Sequence, residues 1–171
     1  MSHVTPPPPI GLGNLDAAQR RAAYRQLRLM TGISETEPML PLSPDELRAW
    51  SRRYAEVMYG LCAAHAQTRL LANAELLERL YAEYGQPAND AFMDGELRLG
   101  ARAVAAGFAP IYTVALNAWS AVHHVQIARE VLAPASVAVV ERHYPRAMFL
   151  RHGLHQEAAL GCTAIPPAAP A

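Results

Sequence analysis

The segment Asp90–Val122 constrains the fold of this chain more than any other, because it encodes two helices joined by a tight turn. Asn89 or Asp90 can start the first helix, and Gly107 can end it. Pro110 fits the first position of the second helix, where its missing N–H costs nothing. This pattern favours a domain of packed helices over one built around a sheet.

Similar start and stop signals recur along the rest of the chain. Asn14 can cap a first helix that Gly32 ends. Ser43 can cap a second helix, with Pro44 at the first helical position and Glu46 completing a capping box. Together with apolar residues at spacings of three and four, these signals predict helices over Leu15–Met30, from Ser43 to His65, and over Ala74–Tyr84, Asp90 to Gly107, Pro110–Leu132 and Ala135–Leu160.

No alternating pattern in the sequence requires a strand. The sequence therefore predicts an all-α single domain of six to seven helices over residues 14–162. The Pro-rich stretch 1–13 and the Ala/Pro-rich stretch 163–171 are predicted to be disordered tails.

Composition excludes several classes of partner. The net charge is zero at pH 7, which gives no general attraction to nucleic acid or to an anionic membrane surface. No apolar run is long enough to cross a bilayer, and the first residues lack the features of a signal peptide. Cys62 and Cys162 are isolated and indicate no disulfide framework. We therefore expect a soluble cytoplasmic protein with no nucleic-acid or membrane partner.

Two segments resemble bacterial sensor globins. Val57–Leu71 carries Tyr59 at the position of a distal-pocket tyrosine, in a helix that leads into a turn. Downstream, the family pattern is matched without a gap by Phe92, Leu99-Gly100, Gly107-Phe108, Pro110 and Tyr112. Over about Asp45–Leu160 the chain is similar to the globin-coupled-sensor and protoglobin family. That resemblance implies a globin-like fold and a pocket between its helices.

The chain departs from this family at the residue that holds haem iron. Ala103 stands where the resemblance places the proximal histidine, and a methyl group cannot coordinate iron. No histidine lies between His65 and His123. The span from Leu71 to Phe92 is also shorter than the family pattern by about two and a half helical turns. We therefore expect no haem bound in the usual way, and haem remains only as an alternative cofactor.

Four residues are candidate pocket positions: Tyr59, His65, Ala103 and His123. The resemblance implies that Tyr59 could donate a hydrogen bond to a pocket ligand, whereas a buried structural tyrosine would need no ligand. His65 could point into the pocket, or could simply lie favourably at a helix C-terminus. His123 is possible as a substitute iron ligand, but it lies about five turns past the expected position.

Two further groups of polar residues have simpler interpretations. His152 and His155 share one helix face, and a surface or dimer-interface pair is favoured over a metal site, because zinc needs three or four ligands. Asp90, Asp94 and Glu96 are interpreted as an acidic helix start that favours the helix dipole. No catalytic motif is recognisable, so we expect no enzyme activity.

The leading functional hypothesis is a globin-fold sensory or interaction module whose pocket is collapsed or holds another ligand, such as a small apolar molecule or a fatty chain. The alternative is a single-domain haem sensor that uses His65 or His123 as a relocated iron ligand. By the resemblance, the chain is expected to form a homodimer through Pro110–Leu132 and Ala135–Leu160. No output domain is recognisable, so a separate signalling partner is expected.

Overall fold

Six α-helices form the part of the chain described by the computed structural model, residues 15–163 with the side chains of 15–159. They are α1 (Ala17–Thr31), α2 (Pro44–Ala64), α3 (Ala74–Ala82), α4 (Asp90–Ala105), α5 (Pro110–Val131) and α6 (Pro134–Thr163). Single 3₁₀ turns, Arg69–Leu71 and Glu83–Gly85, follow α2 and α3. Within these residues there is no strand, and the all-α, single-domain prediction is confirmed, consistent with a globin-like fold.

The helix ends follow the local signals in the sequence. Ser43 and Glu46 form the predicted capping box at the start of α2. Gly32 and Gly107 have φ of 66° and 85°, the left-handed conformation that lets glycine end a helix. The predicted cap of α1 was wrong: Asp16 accepts hydrogen bonds from the first turn, because α1 begins two residues later than expected.

The predicted tails fall mostly on residues that the structure does not describe. Residues 1–14 and 164–171 lie outside the described chain. Thr163, which was assigned to the C-terminal tail, is instead the last residue of α6. Among the described helices, none combines the length and the apolar character needed to span a bilayer.

The core is organised around α6, which packs against both α4 and α5. At its centre is an aromatic cluster of Trp50, Tyr54, Tyr81, Tyr84 and Tyr144, whose neighbouring rings have centroids 4.3 to 6.2 Å apart. Pairs at such separations add stability beyond the burial of their surface. The cluster joins α2, α3 and α6, and so fixes the helices that surround the site described below.

Helix α4 approaches α6 most closely at Gly100. A Cβ added there would lie 2.9 Å from the Cβ of Ala158 and 3.1 Å from the Cα of His155. Two backbones can come this near only if one of them carries no side chain. Gly95, one and a half turns earlier in the same helix, has open space where its Cβ would be.

We predict that Gly100→Ala destabilises the protein by about 1–3 kcal/mol, because the new methyl group overpacks the contact between α4 and α6. Gly95→Ala is the matched control, and it should stabilise the helix by about 0.5–1 kcal/mol. Urea unfolding followed by circular dichroism measures both changes. Equal effects of the two substitutions would contradict the close approach.

Candidate functional site

A largely apolar cavity of about 150 Å³ lies between helices α2 to α6. Most of its wall is aliphatic or aromatic, contributed by Met58, Leu71, Leu76, Leu77, Leu80, Tyr81, Leu99, Ala103, Val104, Phe108 and Leu116. Thr113, Asn117 and Ser120 on α5 also line the cavity. Small binding sites commonly have this composition, an apolar enclosure with a few polar groups.

The structure places one of the four sequence-predicted pocket residues at this cavity. Ala103 lines the wall from α4. Tyr59 is instead 45% exposed, and His65 is an exposed residue that ends α2. His123 stacks on Trp119 with ring centroids 4.3 Å apart, away from the cavity. The structure therefore does not bring Tyr59, His65 and His123 to this cavity.

The rotation of α2 explains where Tyr59 points. The buried residues Tyr54, Met58 and Cys62 follow one another at intervals of four, so they form one stripe facing the core. Tyr59 comes one residue after Met58 and is turned about 100° away around the helix axis. Its side chain therefore faces the surface.

Arg151 of α6, which lines the cavity, is the centre of a polar cluster beside it. Arg151 is buried, and its Nε and Nη2 donate to both carboxylate oxygens of Glu96, at 2.8 and 2.6 Å. Nη2 also donates to Glu83 at 2.6 Å, and Nη1 donates to the carbonyl oxygen of Leu80 at 2.7 Å. The guanidinium group lies 4.7 Å from the ring centroid of Tyr84. A buried arginine with this many partners is held in one position.

The two carboxyls beside Arg151 have opposite pKa shifts. Burial raises the pKa of Glu96, but the charge of Arg151 and hydrogen bonds from His155 and Arg151 outweigh it and hold the pKa at about 2. Glu83 lacks the hydrogen bond from His155, and burial together with the charge of Glu96 raises its pKa despite the attraction of Arg151. Glu96 is therefore the carboxylate whose ionised form the fold stabilises.

The histidine pair of α6 faces inward, which corrects the prediction of a surface or interface pair. Nε2 of His155 lies 2.8 Å from Glu96, and His155 lines the cavity. Nδ1 of His152 lies 2.8 Å from the side-chain amide of Asn117 on α5. Burial and the neighbouring His155 lower the pKa of His152. The described residues contain no group of three or more His, Cys, Asp or Glu arranged to hold a metal ion.

The pair Glu96–Arg151 was not predicted, because Glu96 was interpreted as part of an acidic helix start that favours the helix dipole. A detectable signal was present, since each residue interrupts an apolar stripe. Glu96 lies between the buried Met93 and Gly100 on α4, and Arg151 lies between Met148 and Leu154 on α6. Charges of opposite sign at core positions of two helices indicate a buried ion pair.

Two other polar groups belong to the cavity wall. Cys62 is fully buried, and burial raises the pKa of its thiol, which keeps the sulfur protonated and weakly nucleophilic. Nε2 of Gln156 is buried and has no hydrogen-bond partner among the described residues. An acceptor inside the cavity, from a water molecule or from a ligand, would satisfy this amide.

The cavity lacks the features of a histidine-ligated haem site. Its volume is about half that of the smallest pockets that usually enclose drug-sized ligands, roughly 300 Å³. The one histidine in its wall, His155, has Nε2 bound to Glu96. At the position that the family resemblance assigns to the iron ligand, the wall carries the methyl group of Ala103.

Comparison with known proteins found no match: no protein-family model, no curated protein and no solved structure resembles the chain significantly. The resemblance to sensor globins therefore rests on the two sequence segments that carry it, Val57–Leu71 and Phe92–Tyr112.

We predict that Glu96 makes stability depend on acid pH. Because its pKa falls from an ordinary 4.5 to about 2 on folding, its contribution is complete above pH 4.5 and is lost as the pH falls toward 2. The shift corresponds to ~3 kcal/mol. The difference in unfolding free energy between the wild type and Glu96→Gln should therefore shrink over this range.

Urea unfolding at a series of pH values tests this prediction. Glu75→Gln, at an exposed carboxyl in the first turn of α3, is the control and should keep the wild-type pH dependence. A difference between Glu96→Gln and the wild type that stays constant from pH 6 to the lowest pH at which both remain folded would count against the assignment.

Proposed function

We propose that this protein is a globin-fold sensory module whose cavity takes a small, largely apolar molecule in place of haem. The observation that supports this most directly is the apolar cavity with Ala103 in its wall. The helices leave a space between them, at the place where the family resemblance puts a cofactor. The residues around that space suit apolar contact rather than iron coordination.

The size of the cavity narrows the class of ligand. An apolar protein cavity of roughly 150 Å³ stays dry and binds molecules such as benzene or xenon. The cavity here has about that volume, 150 Å³, and a mainly aliphatic wall. Toluene and similar small hydrocarbons are therefore suitable probes for it. No observation favours the alternative of a relocated haem ligand, since His65 and His123 lie away from the cavity.

We predict that toluene binds to the cavity and that Ala103→Leu weakens binding at least tenfold, because the larger side chain fills the space that the ligand needs. Tenfold corresponds to about 1.4 kcal/mol. Ala105→Leu, at an exposed position of the same helix, should leave binding unchanged. Titration calorimetry measures affinity, and the shift in melting temperature with toluene concentration provides an independent readout.

A hemin titration tests the proposed function against the alternative of a haem-binding sensor. The proposed function predicts no stoichiometric Soret band when hemin is added to the purified protein. A strong band at one hemin per chain would overturn the proposal, and its loss in His65→Ala or His123→Ala would then identify a relocated ligand.

The module is further proposed to act as a homodimer through α5 and α6 and to pass its signal to a separate partner. In support, α5 exposes Ile111, Val114 and Val122, which share one face of the helix. Phe149 on α6 is 60% exposed. Apolar side chains grouped on one face commonly mark an interaction surface.

We predict that the wild type sediments as a dimer at micromolar concentration and that Val122→Glu shifts it to the monomer mass, because the new charge would be buried between two copies of α5. Met30→Glu is the control, since Met30 is 82% exposed but lies on α1. Sedimentation of the wild type as a monomer would refute the dimer.

A further inference from the structure

A second concave site lies on the surface directly beside the cavity. This groove has a volume of about 450 Å³ and runs between α3 and α4. Its wall contains three arginines: Arg79 of α3, and Arg98 and Arg102 of α4. Arg98 and Arg102 are separated by one helical turn, so their side chains leave α4 on the same face.

These three arginines have no ion-pair partner among the described residues, although the chain as a whole is electrically neutral. The carboxylates in the groove wall are those of Glu83 and Glu96, and both are bound by Arg151. Neither carboxylate is therefore available to neutralise Arg79, Arg98 or Arg102. The groove presents three guanidinium groups of like charge, an arrangement that favours an anion.

The groove and the cavity share part of their walls. Leu76, Leu80 and Leu99 line both spaces. No charged residue forms part of this shared wall. An apolar chain could therefore pass from the groove into the cavity by displacing leucine side chains, without desolvating a charge.

We propose that the groove and the cavity form one binding site for an amphipathic carboxylate, a molecule with an anionic head and a short hydrocarbon tail. The head would bind Arg79, Arg98 and Arg102, because guanidinium groups pair with carboxylates in bidentate geometry. The tail would pass between the leucines into the cavity. Each methylene group that it buries there strengthens binding about fourfold.

This inference rests on the proposed function, since it requires the cavity to accept an apolar group. It adds the requirement that the ligand carry an anionic group, which binding in the cavity alone does not need. Toluene tests the cavity without the arginines, acetate tests the arginines without the tail, and octanoate tests both together. Octanol has a similar tail without the charge.

The experiment measures binding of these four probes to the wild type and to two triple variants by titration calorimetry. One variant carries Arg79→Gln, Arg98→Gln and Arg102→Gln. The control carries Arg21→Gln, Arg25→Gln and Arg129→Gln, at exposed arginines away from the groove. Unchanged toluene binding by the groove variant shows that it is folded.

We expect octanoate to bind the wild type at least tenfold more tightly than octanol or acetate. The groove variant should lose that tenfold advantage over octanol, and the control should keep it. Ala103→Leu should weaken octanoate as it weakens toluene, because both would occupy the cavity.

Three results would overturn the inference. If toluene binds but octanoate binds no better than octanol, the cavity takes an apolar molecule as proposed, but the arginines do not bind an anionic head. If acetate binds as tightly as octanoate, the groove takes the head alone and the two spaces do not form one site. If neither toluene nor octanoate binds, the proposed function falls together with this inference.

Discussion

The ion pair between Arg151 and Glu96 is the constraint on which the site depends, because it joins α4 to α6 beside the cavity. Two charges taken out of water are tolerated only when each satisfies the other and the remaining hydrogen bonds are made. Here the guanidinium group makes both contacts to Glu96 and adds Glu83 and a main-chain carbonyl. Removing one partner would leave a buried unpaired charge, at a cost of about 3–5 kcal/mol. The pair therefore fixes where α4 lies, and with it the position of Ala103.

The helices could be predicted from the sequence because their boundaries are local. The capping box of Ser43 and Glu46, and the left-handed glycines Gly32 and Gly107, act over a few residues and need no tertiary information. The misassigned cap of α1 is a local error of the same kind, since Asp16 lies two residues from the predicted Asn14. The all-α architecture follows from these elements without knowledge of how they pack.

The site was only partly predictable, because it depends on how each helix is rotated about its axis. The resemblance placed Ala103 at the pocket, and the structure has it in the cavity wall. The resemblance also placed Tyr59 there, but Tyr59 lies one residue past the buried stripe of α2, and its side chain is 45% exposed. The partners Glu96 and Arg151 are 55 residues apart, and the approach of α4 to α6 depends on Gly100. The charges at core positions indicate that an ion pair is buried, but one sequence does not specify which faces of the two helices meet.

The three leucines shared by the groove and the cavity affect how fast a ligand could enter or leave. Leu76, Leu80 and Leu99 line both spaces, and these half-buried side chains would have to rotate before a molecule passes between them. For a molecule that passes between these leucines, the rate of exchange would be set by the opening of the protein rather than by diffusion to its surface. Under the proposed function, the occupancy of the cavity would then follow sustained changes in ligand concentration more closely than brief ones.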